Sequence, residues 1–447
     1  MAVVLADKSG TDRASLLAMG LAGMLLAGTV GALGAPPFTQ FANGARSVAT
    51  LYAQMTQTRP EVLQPITHEG TGLVANRAEL VQPGMTLIQG IFPEGTQVRL
   101  YDNDGQVRHV WNADFFKVWP DAADRFPEVR IPKSQMHYFI QGMSPLADGS
   151  IVLNFGDLGA AKLDKCSNLV WRSDRPTHHS VTPAGDGKFW IPGHIPTAET
   201  PKEYLPSAVT AKEIDDLIGS SFNGYNNSVL LVDADGKVER EFSILKSIYD
   251  AGLEAAIYNS VRAVTVDPAH LNEIEVVTPA LADRIDGVDA GDLLLSLREM
   301  SMLLIVDEID GHVKWHAQGR WFRQHDPDIT EDGMIELFNN RSRSISQKPV
   351  DSQIVRLDPA TGESHVLFPV GENDAFFSDF MGAHQLLDNG NRLIVESAAG
   401  RVFEVTPAGE VVWDYRLPYD EKTASLFAYA IKIPNDFFEV ENLSCPT

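Results

Sequence analysis

The sequence predicts an all-β fold: a six-bladed β-propeller closed by its C-terminal strand and preceded by an N-terminal transmembrane helix. Three observations predict it: a hairpin that returns six times, a His-led strand upstream of most copies, and an uncharged apolar run near the N-terminus. The hairpin reads VRLYDNDGQVRHVW from Val98, AKLDKCSNLVW from Ala161, LLVDADGKVEREF from Leu230, LIVDEIDGHVKW from Leu304, VRLDPATGESHVLF from Val355 and VFEVTPAGEVVW from Val402. Each copy is apolar strand, Asp/Gly/Pro turn, apolar strand. One such hairpin cannot bury its own apolar face, and radial stacking of six solves that problem.

The upstream element is a His, a Gly-containing turn and a strand. It pairs His137 with DGSIVLNF from Asp148, His179 with GDGKFWIP from Gly185, His270 with GDLLLSL from Gly291, His325 with DGMIELF from Asp332, and His384 with NGNRLIV from Asn389. Alternating apolar runs bounded by turn residues read as strands throughout. Two elements make four strands, one blade. The first blade lacks its leading strand, since MTLIQG from Met85 and the Val98 hairpin supply three. The segment LFAYAIKIP from Leu426 is expected to return and complete it, which removes free sheet edges.

The run Ala14–Ala35 is uncharged and long enough to cross a bilayer. Lys8 and Arg13 precede it, which keeps that end cytoplasmic and puts the propeller on the periplasmic or extracytoplasmic side. Pro36 and Pro37 argue against signal cleavage after Ala35, so an uncleaved anchor is preferred to a signal peptide. The expected organisation is a tail at 1–13, the anchor at 14–35, a neck at 36–69, the propeller at 70–434 and a C-terminal tail at 435–447. Ile195–Asn226 and Phe242–Val261 interrupt the repeat, the second with helical periodicity. They are read as lids over one channel mouth or as surface excursions. Asp283, Asp286 and Asp289 in a third insertion match a calcium loop poorly and read as a solvated acidic loop.

A formal net charge of −24 with no basic patch disfavours nucleic acid as a partner. Cys166 and Cys445 are read as two unrelated thiols in preference to one bridge pinning the C-terminal tail. The leading strand of each blade lines the axial channel, so His137, His178, His179, His270, His325 and His384 are candidates for a ring of imidazoles around one cavity. His270 and Asn272, two apart, are expected on one face of a strand, with Arg298 on the next. An amide, a cation and several imidazoles suit an oxyanion that gains charge during transfer. No inward carboxylate or thiol stands out, so no metal site and no cofactor are expected.

These motifs carry a resemblance. GMTLIQG…VRLYDNDGQVRHVW, THHS, DPAHLN, SLREMS and RQHDPD…LFNN together resemble the bacterial arylsulfate sulfotransferase family, from about Gly70 to Pro434. The resemblance implies a six-bladed propeller that transfers a sulfo group from an aryl sulfate to a phenol through a sulfohistidine, without a nucleotide sulfate donor. It implies His325 as nucleophile and His179 or His178 with His270 as acid, base or oxygen ligands. Asn272 and Arg298 would then bind the sulfo oxygens, with His137 and His384 as further candidates. The chain departs from the well-known secreted members: it has no room before Met85 for their N-terminal β-sandwich, and Arg298 and His325 are closely spaced. The competing functions are a non-catalytic propeller, serving as subunit or scaffold of a membrane protein complex, and a metal-dependent hydrolase or lyase using the same imidazoles.

Overall fold

Asp-led turns explain why the repeated hairpin folds locally. In the first copy one carboxylate oxygen of Asp102 accepts the backbone N–H groups of Asp104 and Gln106 at 3.0 and 2.8 Å. Asp164 and Asp233 do the same in the second and third. The side chain satisfies donors that a tight turn leaves unpaired. The outer-strand tryptophans then reach the neighbouring blade. Trp111 Nε1 donates to the Gly149 carbonyl at 3.1 Å, and Trp413 Nε1 to that of Asn103 at 3.0 Å.

The computed structural model describes residues 57–196, 199–204, 224–259, 267–342, 351–371, 375–439 and 443–445. The chain divides into two compact units, Met1–Glu61 and Val62–Thr447. The expected anchor at 14–35 lies outside the described residues, among which no helix is long and apolar enough to cross a membrane.

The second unit is the six-bladed propeller. Blade 1 orders its strands, from the axis outward, as Leu426–Ile433, Met85–Phe92, Gly95–Tyr101 and Val107–Asn112. Blades 2 to 5 run in chain order outward: 140–173, 182–243, 271–317 and 325–368. Blade 6, 383–416, gains a fifth, outermost strand, Gly72–Asn76, which the sequence did not reveal. The C-terminal strand pairs antiparallel with blade 1 from Met85↔Ile433 to Ile91↔Leu426, as expected. Both ends of the domain therefore meet at the seam between blades 6 and 1.

Apolar clusters fill the interfaces between successive blades all the way round. Between blades 6 and 1, for example, Val412, Trp413 and Leu393 pack on Ile88, Tyr101 and Phe427, all almost fully buried. Between blades 1 and 2, Trp111, Phe115 and Trp119 pack on Phe155 and Ile151. The Phe242–Val261 insertion is helical at Ile244–Asp250 and Ala255–Asn259, as its periodicity predicts, and the Ser243 side chain caps the first helix by accepting from the Lys246 N–H. Residues 205–223 of the other long insertion lie outside the described residues. Asp283, Asp286 and Asp289 form no metal-like cluster among the described residues, and Asp289 pairs with Lys314 at 2.9 Å.

The two cysteines are joined, contrary to the preferred sequence reading. After the closing strand the chain runs outward over blade 2: Phe437 and Phe438 pack against the blade 1–2 core, and the Glu439 N–H donates to the Ala147 carbonyl at 2.8 Å. That path brings Cys445 to the turn of the second hairpin, with 5.5 Å between the Cα atoms of Cys166 and Cys445. A separation of 279 residues gives no sequence signal for this. Cys445→Ser is expected to lower unfolding free energy by about 2–4 kcal/mol in denaturant titration. Dithiothreitol should lower wild type to the same level and leave the variant unchanged.

Candidate active site

The innermost strands are not regular, and that irregularity builds the cavity. A one-residue bulge falls near Gln141 in blade 2, Asn272 in blade 4, Asp326 in blade 5 and Ala428 in the closing strand. Bulges re-aim side chains, and all four of these residues line one axial cavity of about 290 Å³. Gly142 permits the tight packing beside it: a Cβ there would lie 2.1 Å from the His179 carbonyl oxygen.

His179, His270 and Asp326 adopt left-handed backbone conformations, with φ of 56°, 53° and 51°. Such residues cost about 1–3 kcal/mol each and persist where neighbours over-determine them. The His179 N–H donates to Gln141 Oε1 at 3.0 Å, and its carbonyl accepts from Asn154 Nδ2 at 3.1 Å. The His270 N–H donates to Asp267 Oδ1 at 3.0 Å, and its carbonyl accepts the Arg298 N–H at 3.0 Å. His270 thus precedes its strand, Leu271–Val276, instead of sharing a strand face with Asn272 as the sequence reading had it.

Hydrogen bonds fix the ring tautomers. Asn340 Nδ2 donates to the carbonyls of Ser378 and Met381 at 2.9 and 2.6 Å, so its Oδ1 must face His325 Nδ1, 2.7 Å away. Nδ1 of His325 therefore carries the proton, and the lone pair of the neutral ring sits on Nε2. Burial, then the nearby Arg298 charge, hold the His325 pKa well below the ordinary histidine range, so the ring is neutral at physiological pH. In a second relay His178 Nε2 donates to the Gly193 carbonyl at 3.2 Å, so its Nδ1 accepts from His179 Nδ1 at 2.8 Å. Burial, reinforced by neighbouring imidazoles, holds both of these rings neutral too. His270 Nδ1 donates to Asp267 Oδ2 at 2.5 Å. Burial works to raise the Asp267 pKa, but the His270 ring, with His194 and His178, pulls it well below the usual carboxylate range.

The structure thus brings together four of the six predicted histidines. His179 and His325 line the cavity with Asn272. His270 packs edge-on to His179 with ring centroids 4.9 Å apart, and His178 lies against His179 from behind, stacked on His194 at 4.1 Å. Asn272 Nδ2 donates to the Gln324 carbonyl at 2.8 Å. Arg298 follows the strand Leu293–Leu297 and pairs with buried Glu299, whose other oxygen takes Arg323 at 2.8 Å. Two guanidiniums thus share one carboxylate behind His179 and His325. His137, held by Ser134 Oγ at 2.8 Å, and His384, held by Asp326, do not line the cavity.

One sequence inference is corrected. Carboxylates do face inward: Glu273, Glu275 and Asp326 line the cavity. The bulge at Asn272 shifts the strand's parity, which an uninterrupted alternation does not anticipate. Burial, then Asp326, pushes the Glu275 carboxyl up to about 8, so it is protonated at neutral pH. The remaining wall is largely apolar, with Met143, Val181, Ile431, Ile433 and Phe437. A flat aromatic group fits such a wall, with its polar end at the imidazoles.

Asn340 and Asp267 lie in the LFNN and DPAHLN segments but had no expected role. The signal for Asp267 was its i, i+3 spacing to His270; Asn340 carried none beyond a strand-end Asn pair. Glu299→Gln should leave two buried cations without their shared countercharge and lower stability by about 3–5 kcal/mol. Urea unfolding of E299Q against wild type measures this.

A family model described as arylsulfotransferase (ASST) matches residues 142–417. Among solved structures the chain is similar to a protein of unknown function from Bacteroides caccae, at 11% identity and a TM-score of 0.47 over 77% of this chain and 99% of that one. It is also similar to virginiamycin B lyase from Staphylococcus aureus, at 9% identity and a TM-score of 0.35 over 62% and 70%. A streptogramin B lyase gives 10% and 0.35 over 61% and 67%. At this level these structures say nothing about the site. No curated protein matches the chain.

Proposed function

Because the chain belongs to the arylsulfotransferase (ASST) family, we propose that it transfers a sulfo group from an aryl sulfate ester to a phenol through a sulfohistidine at His325. The observation that carries this reading is the His325–Asn340 pair: a buried, neutral imidazole whose Nδ1–H is committed and whose Nε2 lone pair remains for attack. An unprotonated ring is what nucleophilic catalysis by histidine requires.

In the first half-reaction Nε2 of His325 attacks sulfur. The N–S bond forms, the S–O bond to the aryl group breaks, and the aryl oxygen leaves with the bonding pair. Asp267 orients His270, which gives that oxygen its proton. In the second half-reaction His270 takes the proton of the incoming phenol. The phenol oxygen attacks sulfur, the N–S bond breaks, and the lone pair returns to Nε2. Asn272 and the positive Arg298 side chain, whose charge is felt at His179 and His325, stabilise the sulfo oxygens as charge builds. His179, held by His178, fixes the near edge of the site. His137 and His384 have no part in this scheme.

The apolar wall supports an aryl group in both donor and acceptor. The reading includes the anchor: the run 14–35 holds the propeller to the outer face of a membrane, beside amphipathic phenols. A sulfo donor without a nucleotide is consistent with a chain that has no Gly-rich phosphate loop.

With 4-nitrophenyl sulfate as donor and a phenol as acceptor, wild type should release nitrophenol with ping-pong kinetics and show a sulfo adduct by intact mass. His325→Ala should lose both. A folded wild-type protein that gives neither across several donors and acceptors would contradict the reading. Arg298→Gln removes the positive charge behind the two rings, and kcat should fall about 10²–10³-fold. The acid limb of kcat/KM should lie below the ordinary histidine value of about 6.5, because protonation of His325 is disfavoured. Asn340→Asp places a carboxylate on Nδ1, favours the imidazolium, and should move that limb to higher pH.

A further inference from the structure

We propose that Phe437 determines which aryl groups the cavity accepts: a C-terminal strap, fastened to blade 2 by the Cys166–Cys445 bridge, holds its ring as the end wall opposite the imidazoles. This role belongs to the aryl-binding cavity of the sulfo-transfer reading and rests on that reading.

The innermost strands give the cavity two ends. Gln141, His179 and His325 stand at or near the starts of their strands. Pro145, Glu275 and Ile433 stand at or next to the ends of theirs, and they line the same cavity. In blades 2 and 3 the innermost strand leaves by a tight turn into the second: the Gly149 N–H donates to the Leu146 carbonyl at 2.9 Å, and Gly185 pairs with Lys188. The closing strand differs. Its partner, Met85–Phe92, precedes it in the chain, so no such turn follows Ile433 and the chain runs on.

The continuation folds back at once. The Phe437 N–H donates to the Pro434 carbonyl at 3.2 Å, and the Phe437 side chain joins the cavity wall. Phe438, its ring at 90° to that of Phe437, packs instead toward Trp111 of the blade 1–2 core at 6.0 Å. The Glu439 N–H on the Ala147 carbonyl and the bridge to Cys166 then fasten the strap to blade 2 at two points. A free tail would lose much conformational freedom in holding Phe437 there. The fastenings remove that freedom before a substrate arrives.

The consequence is a limit on length. With sulfur at His325 Nε2, the aryl group extends from the imidazole end along the apolar wall toward Phe437. The strand from Gln141 to Pro145 marks that depth, about 13 Å at the usual rise per residue. A sulfo group and one aromatic ring fill such a length, and a second ring in line meets Phe437. Met143, Ile431 and Ile433 also line the wall, but they sit in paired strands, whereas Phe437 lies outside any strand and can be changed without disturbing the sheets.

The test measures binding of phenol and of 4-phenylphenol to the full chain by calorimetry, with no sulfo donor present. Phe437→Ala should raise the ratio of the 4-phenylphenol to the phenol association constant by about 10-fold or more, the scale on which a steric wall sets selectivity. Phe437→Leu should raise it by less, and it decides if F437A fails to fold. Cys445→Ser should shift the ratio the same way by a smaller factor, since the Phe438 packing and the Glu439 hydrogen bond remain. An unchanged ratio in the folded Phe437 variant, or wild type that binds neither phenol, overturns the proposal. An unchanged ratio in C445S overturns the part given to the bridge. Turnover of 4-nitrophenyl sulfate, assayed alongside, separates the two readings: the expected shift in a protein that transfers no sulfo group upholds the length limit and refutes sulfo transfer alone.

Discussion

Ring closure by the strand Leu426–Ile433 is the constraint on which everything else in this protein rests. Along blade 1 it pairs with the whole of Met85–Ile91, and an apolar cluster fills the interface between blades 6 and 1 as clusters fill the other five. An open ring would expose a sheet edge and leave the innermost strands without a common axis. Closure fixes that axis. The bulges at Gln141, Asn272, Asp326 and Ala428 then converge on one cavity instead of four separate channels. The same strand contributes Tyr429, Ile431 and Ile433 to the wall, so closure also supplies part of the apolar surface.

Within that frame the site is organised by what holds each Nδ1. Asn340, His178 and Asp267 engage the Nδ1 atoms of His325, His179 and His270 respectively. One amide, one imidazole and one carboxylate give three rings with different electronic character in one small volume. Only His270 faces an anion, which suits it to proton transfer, while His325 faces a neutral acceptor and a cationic cluster, which suits it to attack in the unprotonated form. Glu299 pairs with both guanidiniums of that cluster in the interior.

The fold was largely legible because its signals are local. Asp-led turns, strand alternation and the outer tryptophans recur in short windows, and the missing leading strand of blade 1 pointed to the C-terminal segment that fills it. The strand Gly72–Asn76 and the Cys166–Cys445 bridge were not legible, since each depends on where the closed ring places distant chain segments. In the site, His178, His179, His270, His325, Asn272 and Arg298 came from motifs at blade entries, and they do cluster. The inward carboxylates were missed because a single bulge reverses the face of every residue after it, and Val, Leu and Glu in an alternating run do not announce one. His137 and His384 occupy equivalent points in the repeat, yet their blades aim them elsewhere, so repeat position alone does not define a site.

The central claim is that His325 is held as the neutral Nδ1–H tautomer with its lone pair on Nε2. The direct measurement is long-range ¹H–¹⁵N correlation on histidine-labelled protein, with His325 assigned by comparison to His325→Ala, recorded from neutral pH downward. The account predicts a pyrrole-type Nδ1, a pyridine-type Nε2, and no titration until the pH is well below 6.5. A proton on Nε2, or an imidazolium at neutral pH, would contradict it.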